Sequence, residues 1–460
     1  MHKIAMPRGA QYIIGKLNSK GYEAYIVGGC VRDCLLGKQP NDWDITTNAT
    51  PEQVKALFRR TVDTGIRHGT VTVLVEKQYS TDNIDDVSHT DYAYEVTTYR
   101  VDGMYEDHRR PTSVTFSKSL TEDLKRRDFT INAMAYNDTD GLVDIFGGQE
   151  DLSEGVIRCV GEPSERFDED ALRILRAVRF AAQLGFRIDE KTAQAMEQQA
   201  RFLSDISAER IQVELTKLIC SDHPELLRDA YLLGITKVIL PEFDVMMETE
   251  QNNPYHIYSV GEHTIRVIQN VPNQPVLRYA ALLHDVGKPA SRTTGPDGRD
   301  HFYGHPQESA QLAHRILRRL KLDNHTISAV ERLVLYHDYG ISGNQTGMRA
   351  FRRFLGSLGD SNFADFLVLR KADMAGQSDY RMEQRRQRIA ALEAMYDEVI
   401  RENQCFKLSD LAIGGKDLIA LGMKPGPDIG GVLKVLFEHV LDVPEDNDKE
   451  VLLVLAKKFI

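Results

Sequence analysis

Residues 25–48 read Tyr-Ile-Val-Gly-Gly-Cys-Val-Arg-Asp-Cys-Leu-Leu-Gly-Lys-Gln-Pro-Asn-Asp-Trp-Asp-Ile-Thr-Thr-Asn, and this stretch decides the fold. The apolar residues 24–27 predict a strand that runs directly into Gly28 and Gly29. Because glycine has no Cβ, backbone N–H groups at these positions are able to approach a phosphate closely. Ordinary turns contain Gly-Gly more often than phosphate sites do, but Arg32 follows one helical turn later and favours a phosphate site.

Two carboxylates follow in the same stretch. Asp42 and Asp44 are separated by one residue, and in an extended chain residues i and i+2 point to the same face. Carboxylates this close repel each other unless a cation lies between them, so the pair predicts a Mg²⁺ site. A surface turn is the alternative interpretation of residues 41–44. Glu95, in the β-rich run 93–100, is a candidate third carboxylate, and an ordinary exposed strand glutamate is the alternative.

Length and composition limit the class of protein. A chain of 460 residues with 42% hydrophobic content is too long for one compact core, so we expect two or three domains. No apolar run is long enough to cross a bilayer, and five scattered cysteines form neither a metal spacing nor a disulfide framework. We therefore expect a reduced, cytoplasmic protein with no membrane partner. The net charge of −11 argues against a non-specific polyanion binder, although local basic clusters leave a nucleic-acid partner open.

Polar residues interrupt an apolar run between residues 123 and 136. They are Arg126, Arg127, Asp128 and Asn132. Such a placement is expensive unless the polar groups are paired or face a ligand. The run is therefore a candidate binding segment.

From residue 161 onward the pattern predicts helices for the rest of the chain. One helix is predicted from Arg166 to Leu184, ending at Gly185. At ~100° per residue, one side of this helix carries Glu169, Asp170, Arg173 and Arg176. These side chains could be solvated and salt-bridged. Alternatively, carboxylate acceptors beside a guanidinium donor could read the edge of a nucleotide base.

A second constellation lies between residues 255 and 380. Its members are His263, the doublet His284-Asp285, His305, His337 and Asp373. Imidazole nitrogen and carboxylate oxygen suit a divalent transition metal. One lone histidine would usually be structural, but the His-Asp doublet with four further residues at helical intervals predicts a metal site.

In this order, the motifs resemble those of the class II nucleotidyltransferases of the DNA-polymerase-β superfamily, specifically the bacterial CCA-adding tRNA nucleotidyltransferases and their poly(A) polymerase relatives. Residues 28–33 with Asp42 and Asp44 resemble the family's catalytic motif. Residues 126–133 resemble its ribose-recognition motif, and residues 169–173 resemble its EDxxR amino-acid template. The resemblance covers roughly residues 20–225 and continues through an HD-type domain to the tail.

The resemblance implies an α+β chain. It implies a mixed-sheet, palm-like N-terminal nucleotidyltransferase domain, followed by an all-α remainder that includes an HD-type helical domain. The implied domains are a catalytic domain at 1–148, a helical neck and body at 149–245, an HD-type metal-binding domain at 246–390, and a C-terminal helical tail at 391–460 that contacts tRNA.

The resemblance also implies an activity, namely template-independent addition of CCA to the 3′ end of tRNA from CTP and ATP by two-metal nucleotidyl transfer. The implied Mg²⁺ ligands and catalytic residues are Asp42, Asp44 and Glu95. The implied nucleotide-binding residues are Gly28, Gly29, Arg32, Arg127, Asp128, Asn132, Glu169, Asp170, Arg173 and Arg176. A poly(A) polymerase or A-adding enzyme is the enzymatic alternative, and an RNA-binding regulatory protein on an inactive scaffold is the non-enzymatic one.

Two further expectations follow from the resemblance. His263, His284, Asp285 and Asp373 resemble HD-superfamily ligands for a divalent metal, with His305 and His337 as additional ligands. Metal binding is favoured there over turnover, and hydrolysis of a phosphoester such as a 2′,3′-cyclic phosphate is the implied activity. The polar segment 101–115 reads as a mobile connector, whose arginines at 100, 109 and 110 favour addition of the terminal A.

Overall fold

The structure is a computed structural model that describes residues 3–66, 69–76, 92–102, 105–106, 110–111, 114–340 and 347–459. The chain divides into two compact units, unit 1 (Met1–Pro241) and unit 2 (Glu242–Ile460). The finer, four-part division expected from the sequence stays a prediction.

Unit 1 is built on a mixed sheet that has seven strands among the described residues. The strands of unit 1 are β1 (Ala24–Val27), β2 (Ile45–Thr47), β3 (Thr61–Gly65), β4 (Thr70–Val75), β5 (Tyr92–Thr98), β6 (Arg100–Asp102), β7 (Tyr105–Glu106), β8 (Arg110–Pro111), β9 (Val114–Phe116), β10 (Met134–Asn137), β11 (Gly141–Asp144), β12 (Val156–Ile157) and β13 (Arg187–Ile188). The sheet order is β11-β10-β1-β2-β5-β4-β3. β2 and β5 run parallel, and the other neighbours are antiparallel. The mixed N-terminal sheet is confirmed.

The pairing of β1 with β2 brings the two glycines and the two carboxylates of residues 25–48 together. Every residue of β1 and β2 is buried, as expected for strands covered on both faces, which read as continuous apolar runs. β1 and β2 are antiparallel neighbours, and the backbone N–H of Val27 donates to the carbonyl oxygen of Asp44 at 3.0 Å. The glycines that follow β1 and the carboxylates that precede β2 therefore lie at one edge of the sheet.

Residues 100–116 differ from the unpaired connector expected from the sequence. β6 pairs with β9 and β7 pairs with β8, both antiparallel. Polar composition did not reveal this pairing, because ladder hydrogen bonds use backbone groups that polar and apolar residues supply equally. Arg109, to which the sequence assigned a role in A addition, lies outside the described residues.

The helices of unit 1 lie before, between and after these strands. They are α1 (Arg8–Asn18), α2 (Gly29–Leu35), α3 (Pro51–Leu57), α4 (Leu120–Lys125), α5 (Gly148–Glu154), α6 (Pro163–Glu169), α7 (Leu172–Leu184), α8 (Glu190–Gln199), α9 (Ala208–Ile219), α10 (Leu227–Leu232) and α11 (Thr236–Ile239).

The single helix expected from Arg166 to Leu184 is two helices. α6 ends at Glu169, Asp170 is extended with φ −147° and ψ 100°, and α7 follows. The Asp170 carboxylate accepts a hydrogen bond from the backbone N–H of Leu172 at 3.2 Å. A short acidic side chain that satisfies a free N-terminal donor favours a new helix start over continuation of the old one. The predicted end is confirmed, since Gly185 has a φ of 70°.

Unit 2 is mostly helical. Its elements, including the helix that begins at the division, are α12 (Pro241–Met247), α13 (Val260–Asn270), α14 (Pro275–Leu283), α15 (Lys288–Ser291), β14 (Thr293–Thr294), β15 (Asp300–His301), α16 (His305–Arg319), α17 (Asn324–Tyr336), α18 (Gly347–Leu358), α19 (Phe363–Ala375), α20 (Met382–Arg401), α21 (Gly415–Ala420), α22 (Pro427–Asp442) and α23 (Lys449–Ala456). The short strands β13, β14 and β15 correct the expectation of an all-α remainder. Within the described ranges, no helix combines the length and apolar character needed to cross a membrane.

Candidate functional site

Gly28 makes room for an arginine at the end of β1. Its φ is +80°, a conformation that residues with a Cβ rarely adopt. A Cβ at this position would lie 2.8 Å from Nη1 of Arg127, whereas a Cβ at Gly29 would make an ordinary contact of 3.8 Å with Arg32. Gly28 is therefore favoured by its positive φ, since the flexible end of Arg127 is able to move away from a Cβ, and Gly29 is not required by any neighbour in the described part of the chain.

Arg32 begins a chain of hydrogen bonds. Its Nη2 lies 2.7 Å from the Asp33 carboxylate, and its Nη1 donates to Oδ1 of Asn132 at 2.7 Å. Asn132 in turn donates to Oδ1 of Asp128 at 3.1 Å. Oδ2 of Asp128 accepts from Nε and Nη2 of Arg176 at 2.9 and 2.6 Å. The predicted phosphate residue Arg32 and the predicted ribose-segment residues Asn132 and Asp128 thus form one connected group with Arg176.

Asp128 is ionised within this chain. Its burial alone would raise the pKa of the carboxyl group, because the charged form loses solvation. The charge and hydrogen bonds of Arg176, together with the Asn132 amide, outweigh burial and hold the pKa of Asp128 below its usual range. The carboxylate is therefore a permanent acceptor at neutral pH.

Asp42 and Asp44 lie in the segment that leads into β2, and both are exposed. The surrounding protein reduces the solvation of Asp44, and this effect with the nearby Asp42 and Glu95 charges raises the pKa of Asp44 to about 6. Glu95 occupies the neighbouring strand, where Val96 is paired with Ile45. This carboxylate environment fits a bound cation, since a cation would relieve the mutual repulsion. The role of Glu95 stays a prediction.

The predicted base-reading residues sit at the break between α6 and α7. Glu169 lies 2.5 Å from a guanidinium nitrogen of Arg166 and 2.5 Å from one of Arg173. Arg173 is buried and also donates to the carbonyl oxygen of Arg126 at 2.8 Å. Asp170 is held by Arg210, whose Nη1 and Nη2 lie 3.1 and 2.7 Å from its two oxygens.

Three residues that contact the predicted site residues or lie beside them were not predicted from the sequence. Asp123 is fully buried and accepts from Thr46 and Arg126 at distances from 2.7 to 3.0 Å. On α9, Arg210 holds Asp170, and Glu214 lies buried 2.8 Å from Arg179. The sequence feature that could have indicated Arg210 and Glu214 is their spacing, since these two charged residues lie four positions apart on a helix with buried positions.

Unit 2 gathers all six residues of the second constellation. His263 lies on α13, His284 and Asp285 follow α14, His305 begins α16, His337 follows α17, and Asp373 lies near the end of α19. All six are buried. We call these six residues the six-ligand centre.

The six-ligand centre forms two groups of three, each with ligand atoms within 4.8 Å of one another. In the first, Nε2 of His263 lies 3.3 Å from Nε2 of His284 and 3.1 Å from Oδ1 of Asp373. In the second, Nε2 of His305 lies 3.2 Å from Nε2 of His337. Asp285 joins the groups, since its Oδ2 is 3.2 Å from His284 and its Oδ1 is 3.4 Å from His305.

Backbone carbonyls orient all four histidines. Nδ1 of each ring lies 2.7 to 3.1 Å from a carbonyl oxygen; the four acceptors are Gly376, Ala281, Phe302 and Val334. A carbonyl oxygen only accepts, so each Nδ1 carries a proton, which leaves Nε2, directed into the centre, as the nitrogen that would bind a metal. Lone pairs that face each other at 3.2 Å repel unless a cation lies between them. This donor set fits metal binding.

The carboxylate of Asp285 supports the same fit. Neither of its buried oxygens accepts a hydrogen bond of good geometry, although Nζ of Lys288 lies 2.7 Å from Oδ2. Burial opposes ionisation, but His284 and Lys288 hold the pKa of Asp285 well below its usual value. Burial also lowers the pKa of His305 to about 4, despite the nearby Asp285 charge. The centre opens into a cavity of about 650 Å³.

Three family models match parts of the chain. The Poly A polymerase head domain matches residues 24–158. The RNA and SrmB-binding site of polymerase A matches residues 185–247. The tRNA nucleotidyltransferase domain 2 matches residues 306–456.

Full-length relatives are also similar to this chain. The CCA-adding enzyme of Enterococcus faecalis is 34% identical over 447 residues, which cover 97% of this chain and 94% of that protein. The CCA-adding enzyme of Limosilactobacillus fermentum is 36% identical over 455 residues, which cover 98% and 96%. The crystal structure of the Bacillus stearothermophilus CCA-adding enzyme in complex with CTP aligns with a TM-score of 0.67 at 30% identity, over 99% of this chain and 98% of that one.

Proposed function

Because the chain belongs to the CCA-adding enzymes, which are tRNA nucleotidyltransferases, we propose that it adds CCA to the 3′ end of tRNA from CTP and ATP without a nucleic-acid template. The observation that carries the proposal is the hydrogen-bonded chain from Arg32 through Asn132 and Asp128 to Arg176. It joins Arg32, which is suited to the triphosphate, to Asn132 and Asp128 in the ribose segment, and it ends at Arg176 on α7, the helix that follows the base-reading break.

The transfer chemistry is assigned to the edge of the sheet. Asp42 and Asp44 would hold Mg²⁺, with Glu95 as the third candidate ligand. Bound Mg²⁺ activates the attacking 3′-hydroxyl and neutralises the charge that develops on pyrophosphate. Arg32 lies one turn into α2 and faces the same edge, where its guanidinium would hold the triphosphate.

Base selection is assigned to the break between α6 and α7. Asp170 would accept from the exocyclic amine that cytosine and adenine share, and Arg173 would donate to a ring nitrogen. Uracil and guanine present a carbonyl oxygen at the amine position, which an Asp170 carboxylate repels. Arg210 orients Asp170 through its ion pair, while the contacts of Arg173 with Glu169 and two backbone carbonyls fix its guanidinium.

The test is the product formed on defined tRNA ends. Wild-type protein is incubated with a tRNA that lacks its 3′ tail, with CTP and ATP separately and together, and the product is measured by mass. The proposal expects growth by two cytidines with CTP and by CCA with both. An extended A tract would contradict it and support the poly(A) polymerase alternative. Addition of A alone to ends that already carry CC would support an A-adding enzyme.

For unit 2 we infer a second function, metal-dependent hydrolysis of phosphoesters at the six-ligand centre. The supporting observation is the division of the ligands into two groups bridged by Asp285, with four Nε2 atoms directed inward. Two divalent cations, one in each group, would satisfy these donors. Such ions supply charge neutralisation and an activated water to a phosphoester. The identity of the metal and the HD-type assignment are parts of this proposal.

Metal analysis tests the centre. Purified wild type is compared with the double variant His284→Ala/Asp285→Ala, and His314→Ala serves as control because His314 is partly exposed on α16 and pairs with Glu331. The proposal expects about two metal equivalents in wild type and control, and loss of both in the double variant. Equal metal content in all three would remove the assignment. Hydrolysis of a nucleoside 2′,3′-cyclic phosphate, measured in the same samples, tests turnover separately.

The domain division and the tRNA contact of the tail remain proposals. For the four-part division, the separate family models for residues 24–158, 185–247 and 306–456 support the boundaries near 148 and 245. The boundary near 390 has no such support, because the last model runs across it. Contact of the tail 391–460 with tRNA is proposed with it, and crosslinking of tRNA to full-length protein tests that contact. A cytoplasmic location stays a prediction.

A further inference from the structure

One aromatic ring in unit 1 gathers three guanidinium groups. The Cζ atoms of Arg179, Arg32 and Arg176 lie 3.5, 5.1 and 5.3 Å from the ring centroid of Phe180. A guanidinium within about 6 Å of a ring centroid is attracted by the negative charge of the ring face. Phe180 is only 6% exposed, and such an attraction is strongest where water is excluded.

The three arginines belong to different parts of the pocket. Arg32 comes from α2 and is assigned to the triphosphate, while Arg176 comes from α7 and holds Asp128. Arg32 pairs with Asp33, and Arg176 pairs with Asp128. Glu214 lies 2.8 Å from Arg179 and 3.8 Å from Arg176. The Phe180 ring is the group that all three share.

The Phe180 ring also packs against a second aromatic ring. Phe129 packs on Phe180 with centroids 5.8 Å apart and an angle of 80° between the rings. Phe129 is fully buried and lies between Asp128 and Thr130, inside the segment assigned to ribose recognition. The orientation of the Phe180 face, and with it the attraction on Arg32, is therefore set by the same segment that carries Asp128.

We propose that Phe180 is a positioning residue, whose π face directs the guanidinium of Arg32 toward the triphosphate of the incoming nucleotide. The inference rests on the proposed function of unit 1 and deepens it. Leucine would fill much of the same space without a π face, and tyrosine would keep the face. A role in packing alone and a role in positioning therefore give different results for these two substitutions.

The primary test measures binding of Mg²⁺-pyrophosphate, the part of the nucleotide that Arg32 would contact, by calorimetry. We expect Phe180→Leu to weaken this binding by roughly tenfold, and Phe180→Tyr to restore it to within about twofold of wild type. Binding of cytidine, which has no phosphate, should be equal in all three proteins. The KM values for CTP and ATP should rise in Phe180→Leu by the same factor as the pyrophosphate dissociation constant, with kcat changed less than about twofold.

Unchanged pyrophosphate binding in Phe180→Leu would overturn the inference, as would failure of Phe180→Tyr to rescue or an equal loss of cytidine binding. If thermal unfolding shows that Phe180→Leu is poorly folded, Phe180→Met takes its place, because methionine is flexible enough to fill the site and also lacks a π face. Wild-type protein that binds pyrophosphate but adds nothing to tRNA would contradict the proposed function and leave this inference standing.

Discussion

The nucleotide pocket of unit 1 and the six-ligand centre of unit 2 both bring carboxylates close together, but they differ in how far these groups are exposed to solvent. In the nucleotide pocket, Asp42 and Asp44 are exposed, and reduced solvation together with the nearby Asp42 and Glu95 charges raises the pKa of Asp44 to about 6. In the six-ligand centre every ligand is buried, and the side chains and backbone carbonyls of the chain itself surround them.

The difference follows from what each site has to admit. An open pair of carboxylates leaves coordination positions for a triphosphate and a 3′-hydroxyl, so the substrate completes the site. The six-ligand centre is nearly complete without a substrate, because four histidines and two aspartates already supply two groups of donors. A variant that damages one site should therefore have no effect on the other.

The largest expected effect separates the two sites by activity. Replacing both open carboxylates, Asp42→Ala/Asp44→Ala, should lower nucleotide addition by roughly a thousandfold or more, since the charge that develops in transfer loses its stabilisation. Metal content at the six-ligand centre should not change. The exposed Asp63, paired with Lys55, provides the control Asp63→Ala. Full addition activity in the double variant would refute the catalytic assignment.

The second largest expected effect is on the thermal stability of unit 2, which holds the six-ligand centre. Removing metal from the six-ligand centre with a chelator should lower the stability of unit 2 by about 3 kcal/mol, the value for a ligand present at a hundred times its dissociation constant. For a unit of this size the midpoint of thermal unfolding should fall by roughly 5–10 °C. Calorimetry with and without added metal measures the shift. If a chelator lowers the unfolding midpoint of wild type no more than that of His284→Ala/Asp285→Ala, the result would contradict metal binding at the six-ligand centre.

A smaller effect concerns the ion pair at the helix break. Arg210→Ala leaves Asp170 without its bidentate partner, so kcat/KM for CTP and ATP should fall by roughly tenfold and incorporation of UTP should rise. Single-nucleotide addition with each of the four NTPs measures both. Arg187→Ala, at an exposed position on β13, is the control. Unaltered selection among the four nucleotides would mean that Asp170 is oriented without Arg210.

The smallest effect concerns pH. The pKa of Asp128 is lowered in the folded state, so its ionisation stabilises the fold above the unfolded value near 3.9, and this stabilisation is lost as the pH falls toward the folded value. For a strongly lowered pKa the loss from this group is about 1 kcal/mol between pH 5 and pH 3. Urea unfolding of wild type and Asp128→Asn at both pH values should show a smaller acid loss in the variant. An identical acid loss would place the lowered pKa in doubt.

The parts of the fold that depend on neighbouring residues were predictable from sequence. The strand before Gly28, the carboxylates before β2 and the end of α7 at Gly185 each follow from a few adjacent residues. That the six residues of the second constellation form one cluster was also predictable, because a His-Asp doublet at a helix end has a recognisable pattern, and metal binding by them stays a proposal. The residues that hold them were not, since carbonyl acceptors such as Ala281 have no side-chain signal.

The parts that depend on distant pairing were not predictable. Helical periodicity predicted one continuous helix across Asp170. Periodicity does not distinguish a polar residue on a helix face from a polar residue that begins a new helix. Arg210 lies forty positions from its partner, and the burial of Glu214 is explained by its distant partners Arg179 and Arg176. The pairing of β6 with β9 likewise depends on backbone groups that leave no mark on composition.

The helix break at Asp170 also limits how the base preference of this protein is able to evolve. The same carboxylate that would read the base also accepts from the Leu172 N–H at the start of α7. A change to an apolar residue would therefore alter recognition and destabilise the helix in one step. Asparagine is as good as aspartate at a helix start and exchanges one acceptor for a donor. Asp170→Asn is thus a substitution expected to change nucleotide selection while the helix start is kept.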